Sequence, residues 1–244
     1  MGRTVCGAVA DDPDLVLVGA VDPGAPGETI HGVTIDAGAD AGALVDRGVD
    51  VMVDFTRAEG ARANLAWAGS AGIHAVVGTT GFDDRDFDRL RRDFTRSNCL
   101  VAPNFAIGAV LMMRFAELAA PWFDSTEVIE LHHDRKVDAP SGTATLTVER
   151  MAAASDQWGA DPTTNEVLAG ARGATGPAGI HVHSVRLRGL LAHQEVLLGT
   201  TGQTLTIRHD SYDRSSFMPG VVLAAKRIAE LPGLTIGLEP LLGL

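Results

Sequence analysis

Val49-Asp50-Val51-Met52-Val53-Asp54-Phe55, the helical pattern over residues 59–71, and Ile73-His74-Ala75-Val76-Val77-Gly78-Thr79-Thr80-Gly81 together decide the fold class. The first run is short and mostly apolar, as expected of a strand covered on both faces. Residues 59–71 stop near Gly72, and residues 73–77 form a second short apolar strand. Parallel strands need a crossover, and here a helix supplies it, so the pattern predicts a doubly wound parallel α/β sheet. Ligands of such sheets bind beyond the carboxyl ends of the strands. Gly78, Thr79 and Thr80 lie at one such end; by local sequence alone they also read as a plain Gly-bounded turn.

Upstream, residues 4–10 look helical and residues 15–21 form an apolar strand ending at Asp22. An acidic residue there suits hydrogen bonds from ribose hydroxyls, and equally suits a turn before Pro23-Gly24. The Gly-rich residues 24–38 read as loop and residues 39–48 as a short helix. Downstream, Asp83 caps a helix whose buried stripe is Phe87, Leu90 and Phe94. Leu100-Val101-Ala102-Pro103-Asn104-Phe105 is a further short strand entering a turn. Residues 107–120 form an apolar helix in which Leu111, Met112, Phe115 and Leu118 serve packing.

Around Pro121 the pattern changes. Residues 126–132, 181–187, 193–198 and 203–208 alternate with period two, marking a sheet with one face buried. With a helix over 141–154 they make a second domain of mixed sheet, and residues 159–179 are a long loop. An apolar helix over 221–229 ends at Leu231-Pro232-Gly233.

The chain has 244 residues, enough for one large or two modest domains, with a formal net charge of −11. That charge, without clustered Lys and Arg, argues against nucleic acid and anionic membrane surfaces as partners. Only Cys6 and Cys99 are present, so no disulfide framework is implied and a cytoplasmic location is expected. No apolar run approaches the roughly 20 residues of a membrane span.

Chemistry concentrates in Glu130-Leu131-His132-His133-Asp134-Arg135-Lys136-Val137-Asp138-Ala139-Pro140-Ser141-Gly142-Thr143-Ala144. Histidine exchanges protons near neutral pH, and Lys136 can hold a carboxylate or donate a proton. Ser141 reads as an N-cap, which sets the amides of Gly142 and Thr143 at a helix N-terminus, where anions are favoured. Singly these are commonly a cap, a solvated charge and a structural histidine pair. Together they are equipment for handling an anion.

This stretch resembles, nearly residue for residue, the signature of the 4-hydroxy-tetrahydrodipicolinate reductase (dihydrodipicolinate reductase) family. The likeness extends through residues 51–55, 78–82 and 102–108, Gly170-Ala171-Arg172-Gly173, and the C-terminal run to Leu241. It implies a Rossmann-like doubly wound sheet with a second α+β domain of mixed sheet. The cofactor domain would be discontinuous, residues 1–104 plus 214–244, with residues 105–213 binding substrate and forming a homotetramer. By resemblance His132 is the proton donor, Lys136 a second acid and carboxylate partner, and His133 a substrate contact. Gly142 and Thr143 seat a carboxylate of a small dicarboxylate substrate. NADH or NADPH would contact Gly2, Arg3, Asp22, Gly78, Thr79, Thr80, Ala102, Pro103, Asn104 and Phe105.

Met1-Gly2-Arg3 matches the tail of the family's Gly-x-x-Gly-Arg-Met-Gly-Arg turn. About a dozen residues, close to one strand plus a phosphate loop, would precede it. Either the start lies at an internal methionine or the chain is short as it stands. No Lys or Arg follows Asp22, so a 2′-phosphate would have only Arg3 to pair with; NADH is expected to serve at least as well as NADPH. Two other classes stay open on the residues alone. One is a zinc-dependent hydrolase using His132 with Asp134 or Asp138, His181 and His183 being a further possible metal pair. The other is a cofactor-deficient binding or regulatory protein.

Overall fold

The structure, a computed structural model, describes residues 1–38 and 46–244. The chain divides into two units, Met1–Phe105 with Phe217–Leu244, and Ala106–Ser216. The helix expected over 39–48 falls mostly outside the described residues.

The first unit begins with α1 (Gly2–Asp11), whose first turn carries neither an acidic residue nor a side-chain cap. Of the strand expected over 15–21, only β1 (Ala20–Val21) pairs, in parallel with β3 (Val33–Asp36). Residues 15–19 find no ladder among the described residues and Val16 is 80% exposed, so apolar character there does not make a strand. Residues 24–38 are not simply loop. β2 (Thr29–Ile30) and β3 form a hairpin with Ile30 opposite Val33. Its two turn residues, His31 and Gly32, both have positive φ, the condition for a tight turn that matches strand twist.

The parallel sheet follows the expected plan. β4 (Val51–Asp54), α2 (Ala58–Ala71), β5 (His74–Val77), α3 (Asp84–Asp93) and β6 (Cys99–Val101) succeed one another in chain order. A tail strand, Leu234–Ile236, adds to β6, giving four parallel strands. Gly72 ends α2 in the left-handed conformation, its N–H returning to Ala68 and Gly69. Ala61, Leu65 and Ala68 of α2 then pack with Ala75, Val77, Leu90, Phe94, Cys99 and Val101 in one core.

Asp83 and Asp86 form a reciprocal capping box at the start of α3, and Asp86 also accepts two bonds from Arg62, at 2.8 and 2.7 Å. The Arg62 hydrogen bond outweighs partial burial and holds the Asp86 carboxyl at about 2. Because its folded value lies below the unfolded one, its stabilisation is complete above about pH 4 and is lost as pH falls toward 2. Asp86→Asn should therefore lower stability at neutral pH by about 1–2 kcal/mol. Urea unfolding curves of parent and variant should converge through that acid window; a constant gap at all pH would refute the role of the charge.

In the second unit α4 (Ile107–Ala119) leads to β7 (Ser125–His132), α5 (Gly142–Ala154), β8 (Ala174–Thr175), β9 (His181–Arg186), β10 (Ala192–Thr200) and β11 (Gln203–Ser211). The strands make a mixed sheet in the order β11-β10-β7-β9-β8, parallel only between β7 and β9. Thr126, Val128 and Glu130 alternate as the buried face of β7. Val128, Val182, Val196 and Leu198 share a core with Ala116, Ala144, Val148 and Met151 of the two helices. The apolar alternation of β10 is thus largely satisfied within the chain.

α4 departs from expectation. Ala109, Val110, Met112, Met113 and Ala116 form its buried stripe, while Phe115 and Leu118 are 49% and 53% exposed. Met112 packs as expected, with Val110, Met113 and two alanines beside it, whereas Phe115 and Leu118 fall on the other side. The long loop after α5 is fastened by Arg172, which bridges Glu127 and Asp161. His183 pairs with Glu127 and His181 with Asp161, so each of these histidines has a carboxylate partner. Among the described residues no helix is long and apolar enough to cross a membrane.

The chain returns to the first unit at Phe217, before α6 (Met218–Arg227). Gly220 of α6 lies against the Phe105 carbonyl, where a Cβ would come within 2.1 Å of the oxygen.

Candidate active site

β7 delivers the chemistry of the second unit. Glu130 and His132 are two residues apart and therefore share a strand face. Glu130 is fully buried, and its Oε2 meets His132 Nδ1 at 2.5 Å. Burial alone would raise this carboxyl, but hydrogen bonds from His132, Arg186 and Ser184 outweigh it and hold it well below the ordinary carboxylate range. An ionised carboxylate only accepts, so His132 Nδ1 carries the proton and Nε2 is left for exchange. The imidazole retains 16% exposure, enough to meet a ligand.

β7 ends at His132, so strand alternation alone does not separate His132 from His133. Their partners do. The His133 N–H bonds to Leu191, and its Nδ1 is buried without a hydrogen-bond partner among the described residues. The turn that follows brings Lys136 N to the His133 carbonyl, and Lys136 Nζ reaches both oxygens of Asp138, at 2.8 and 2.7 Å. That ammonium lowers the Asp138 carboxyl. Asp138 is largely exposed, and such pairs contribute at most about 1 kcal/mol, so Lys136 can exchange it for another carboxylate at little cost.

Ser141 is the N-cap of α5, its Oγ accepting from Ala144 N at 3.2 Å. The first turn has no acidic side chain, and a Cβ built on Gly142 would meet nothing within 4 Å. Gly142 and Thr143 therefore begin a helix that faces open space at Gly142, with a dipole that favours an anion. Ser141 N donates to Glu130 Oε1, which ties this helix start to the residue beneath His132.

In the first unit the carboxyl ends of β4, β5 and β6 are stitched together. Gly78 N donates to Asp54, Ala102 N donates to Val77, and Thr79 Oγ1 donates to the Asp54 carboxylate at 2.7 Å. The Phe55 ring packs on Phe105 at 5.6 Å and against Gly78, where a Cβ would approach it to 2.1 Å. Gly78–Thr80 and Ala102–Phe105 thus meet through Phe55. Thr80 and Pro103 are exposed, whereas Thr79, Ala102 and Phe105 are buried.

Asp22 follows β1 and accepts from Gly24 N at 2.8 Å, so the turn reading of this aspartate is realised and its second oxygen is not used by that bond. Arg3 is ion-paired with Glu28. A dinucleotide fits these features: small residues at strand ends, an acidic residue after β1, and an uncapped helix start at Gly2 and Arg3.

Sequence reasoning assigned no role to Glu130, Arg186, Asp54 or Phe55. A charge on the core face of an alternating strand was the available signal for Glu130. For Asp54 it was a carboxylate closing an apolar run. Asp54 accepts from Thr56, Asn64 and Thr79, bonds that no local pattern announces. The zinc reading lacks a ligand cluster: among the described residues no three His, Cys, Asp or Glu side chains are placed to hold a metal ion.

Comparison with known proteins agrees across the whole chain. The family profile described as dihydrodipicolinate reductase, N-terminus, matches residues 1–105, and its C-terminal counterpart matches residues 108–242. A 4-hydroxy-tetrahydrodipicolinate reductase of Cutibacterium acnes is 52% identical over 250 residues, spanning 100% of this chain and 95% of that protein. The Nocardia farcinica enzyme of the same name is 51% identical over 251 residues, with 100% and 95% covered. A solved structure, dipicolinate-bound dihydrodipicolinate reductase from Paenisporosarcina sp. TG-14, is 38% identical and superposes with a TM-score of 0.86, covering 98% of this chain and 94% of that one. With both halves matched in order and the relatives similar from end to end, the chain belongs to the dihydrodipicolinate reductase family.

Proposed function

We propose that this chain reduces 4-hydroxy-tetrahydrodipicolinate to tetrahydrodipicolinate in the diaminopimelate route of lysine biosynthesis, with His132 as proton donor. The observation that carries the assignment of His132 is its Nδ1 contact with the buried, ionised Glu130, which leaves Nε2 as the exchanging atom. The C4 hydroxyl leaves as water, giving the conjugated cyclic imine, and NADH or NADPH, when bound, would supply the hydride that C4 of that imine accepts. His132 delivers a proton as charge develops on the substrate nitrogen. Lys136 leaves Asp138 to hold one substrate carboxylate and acts as a second acid. His133, next to His132 in the chain, contacts the substrate. The start of α5, at Gly142 and Thr143, seats the other carboxylate.

In this reading the first unit holds the cofactor. Asp22 takes the adenosine ribose, Gly2 and Arg3 lie beside the pyrophosphate, and Gly78–Thr80 with Ala102–Phe105 receive the nicotinamide end. Family resemblance supports a cytoplasmic homotetramer assembled through the mixed sheet.

Arg3 is the cation that the sequence offers to a 2′-phosphate, and Glu28 already neutralises it. NADH should therefore bind at least as tightly as NADPH. Calorimetric titration of each into the 244-residue chain tests this. Micromolar NADH binding supports the assigned site. A large preference for NADPH would contradict the Asp22 assignment, and no binding of either would leave this chain unable to use cofactor.

A further inference from the structure

The buried carboxylate of Glu130 is joined to more of the site than a core residue needs. Val128, two residues earlier on the same face, shows that this strand accepts an aliphatic side chain in the core. Glu130 instead binds a guanidinium fork: Arg186 Nη1 donates to Oε2 and Nη2 to Oε1, both at 2.8 Å. The fork is aimed by the sheet, because Arg186 of β9 lies directly opposite His132 in the β7–β9 ladder. Its Nη2 also donates to the Asp138 carbonyl at 2.7 Å, which fixes the turn carrying Lys136. Glu130 also accepts from His132 Nδ1, from Ser141 N and from Ser184.

We propose that Glu130, clamped by Arg186, is the positioning residue of the reductase site: it orients the His132 imidazole through Nδ1 and anchors the start of α5 where the substrate carboxylate is seated. This rests on the reading of His132 as proton donor. Three consequences follow from the connections. The imidazole cannot rotate about its ring axis without losing the Glu130 bond. The nitrogen that exchanges with substrate is always Nε2. The distance between proton donor and anion seat is set by one side chain, whose two oxygens touch both.

Arg186 keeps the arrangement neutral. Glu130 and Arg186 cancel in charge, so the carboxylate can be buried beside a histidine without an uncompensated ion. Removing the charge while keeping the shape separates positioning from packing.

Nitrogen-15 NMR of the histidine side chains in the full-length protein, with the His132 signal assigned by its loss in His132→Gln, gives the first readout. In the parent protein, at a pH where the ring is neutral, His132 should be the Nδ1–H tautomer; an Nε2–H tautomer overturns the proposal whatever the variants do. Glu130→Gln should remove that tautomer preference and lower kcat on the order of 10²-fold, with the Kd for NADH unchanged. Glu130→Asp keeps the charge beside Arg186 and so guards against a folding failure, but it withdraws the oxygen from Nδ1; it should show the same two changes. A fall in kcat without any change in the His132 nitrogen signals would mean a structural role only, and would overturn the proposal. So would unchanged kcat in either folded variant. Full turnover in His132→Gln would instead remove the proton-donor reading itself, an outcome distinct from failure of Glu130 to position it.

Discussion

Turnover in His132→Ala is expected to fall roughly 10³-fold, within the range for loss of a positioned general acid, while NADH affinity stays at the parent value. Lys136→Ala should lose a comparable factor and, unlike His132→Ala, should also raise KM for the dicarboxylate. The difference follows from geometry. His132 is bonded below by Glu130 and offers one nitrogen to a ligand, so its removal takes away a proton and little binding. Lys136 holds a carboxylate already, that of Asp138, and its ammonium is the group a substrate carboxylate would displace that aspartate to reach. Both residues belong to the second unit, whereas the segments assigned to cofactor belong to the first, so NADH titrations should not register either change. Steady-state kinetics with calorimetry on the same preparations checks both arms. Unchanged turnover in either variant would break the assignment of roles.

The fold class was legible in the chain because short apolar runs separated by helical patterns admit few arrangements. β4, α2 and β5 lie where the run lengths place them, and the period-two segments became β7, β9, β10 and β11. What stayed hidden depended on distant partners. The β2–β3 hairpin turns on His31-Gly32, and a histidine with positive φ is not the Asn-Gly signal by which tight hairpins are recognised. Residues 15–19 are apolar, but a strand is a ladder and apolar character supplies no partner. In α4 an all-round apolar sequence concealed which side the alanines would present.

The candidate site divides in the same way. His132, Lys136 and the Ser141 cap are adjacent in sequence, so a local reading finds them. Glu130 lies in the same stretch, yet its importance depends on Arg186, which is 56 residues away. Asp54 is comparable: it ends β4 in plain view, but its tie to Thr79 crosses to the next strand. Resemblance supplied roles for the residues assigned to ligands and none for the side chains that hold them, which only three-dimensional contacts reveal.

Gly78→Ala should lower stability by about 3 kcal/mol and weaken NADH binding at least about tenfold. A methyl group there would stand 2.1 Å from Phe55 Cε1 and 2.5 Å from Cζ, far inside contact distance. The backbone cannot readily yield, because Gly78 N is bonded to the Asp54 carbonyl and Asp54 is itself fixed by Thr56, Asn64 and Thr79. Nor is the ring free to move toward its neighbour. Phe55 leans on Phe105, which is 2% exposed, and the Phe105 carbonyl is backed by Gly220 of α6. The strain must therefore spread through the strand-end segments assigned to the nicotinamide end, which couples stability to affinity. Urea unfolding and NADH titration of the same variant test that coupling. A stable Gly78→Ala protein with parent affinity would show that Phe55 has room to turn aside and that these segments do not meet the cofactor as assigned.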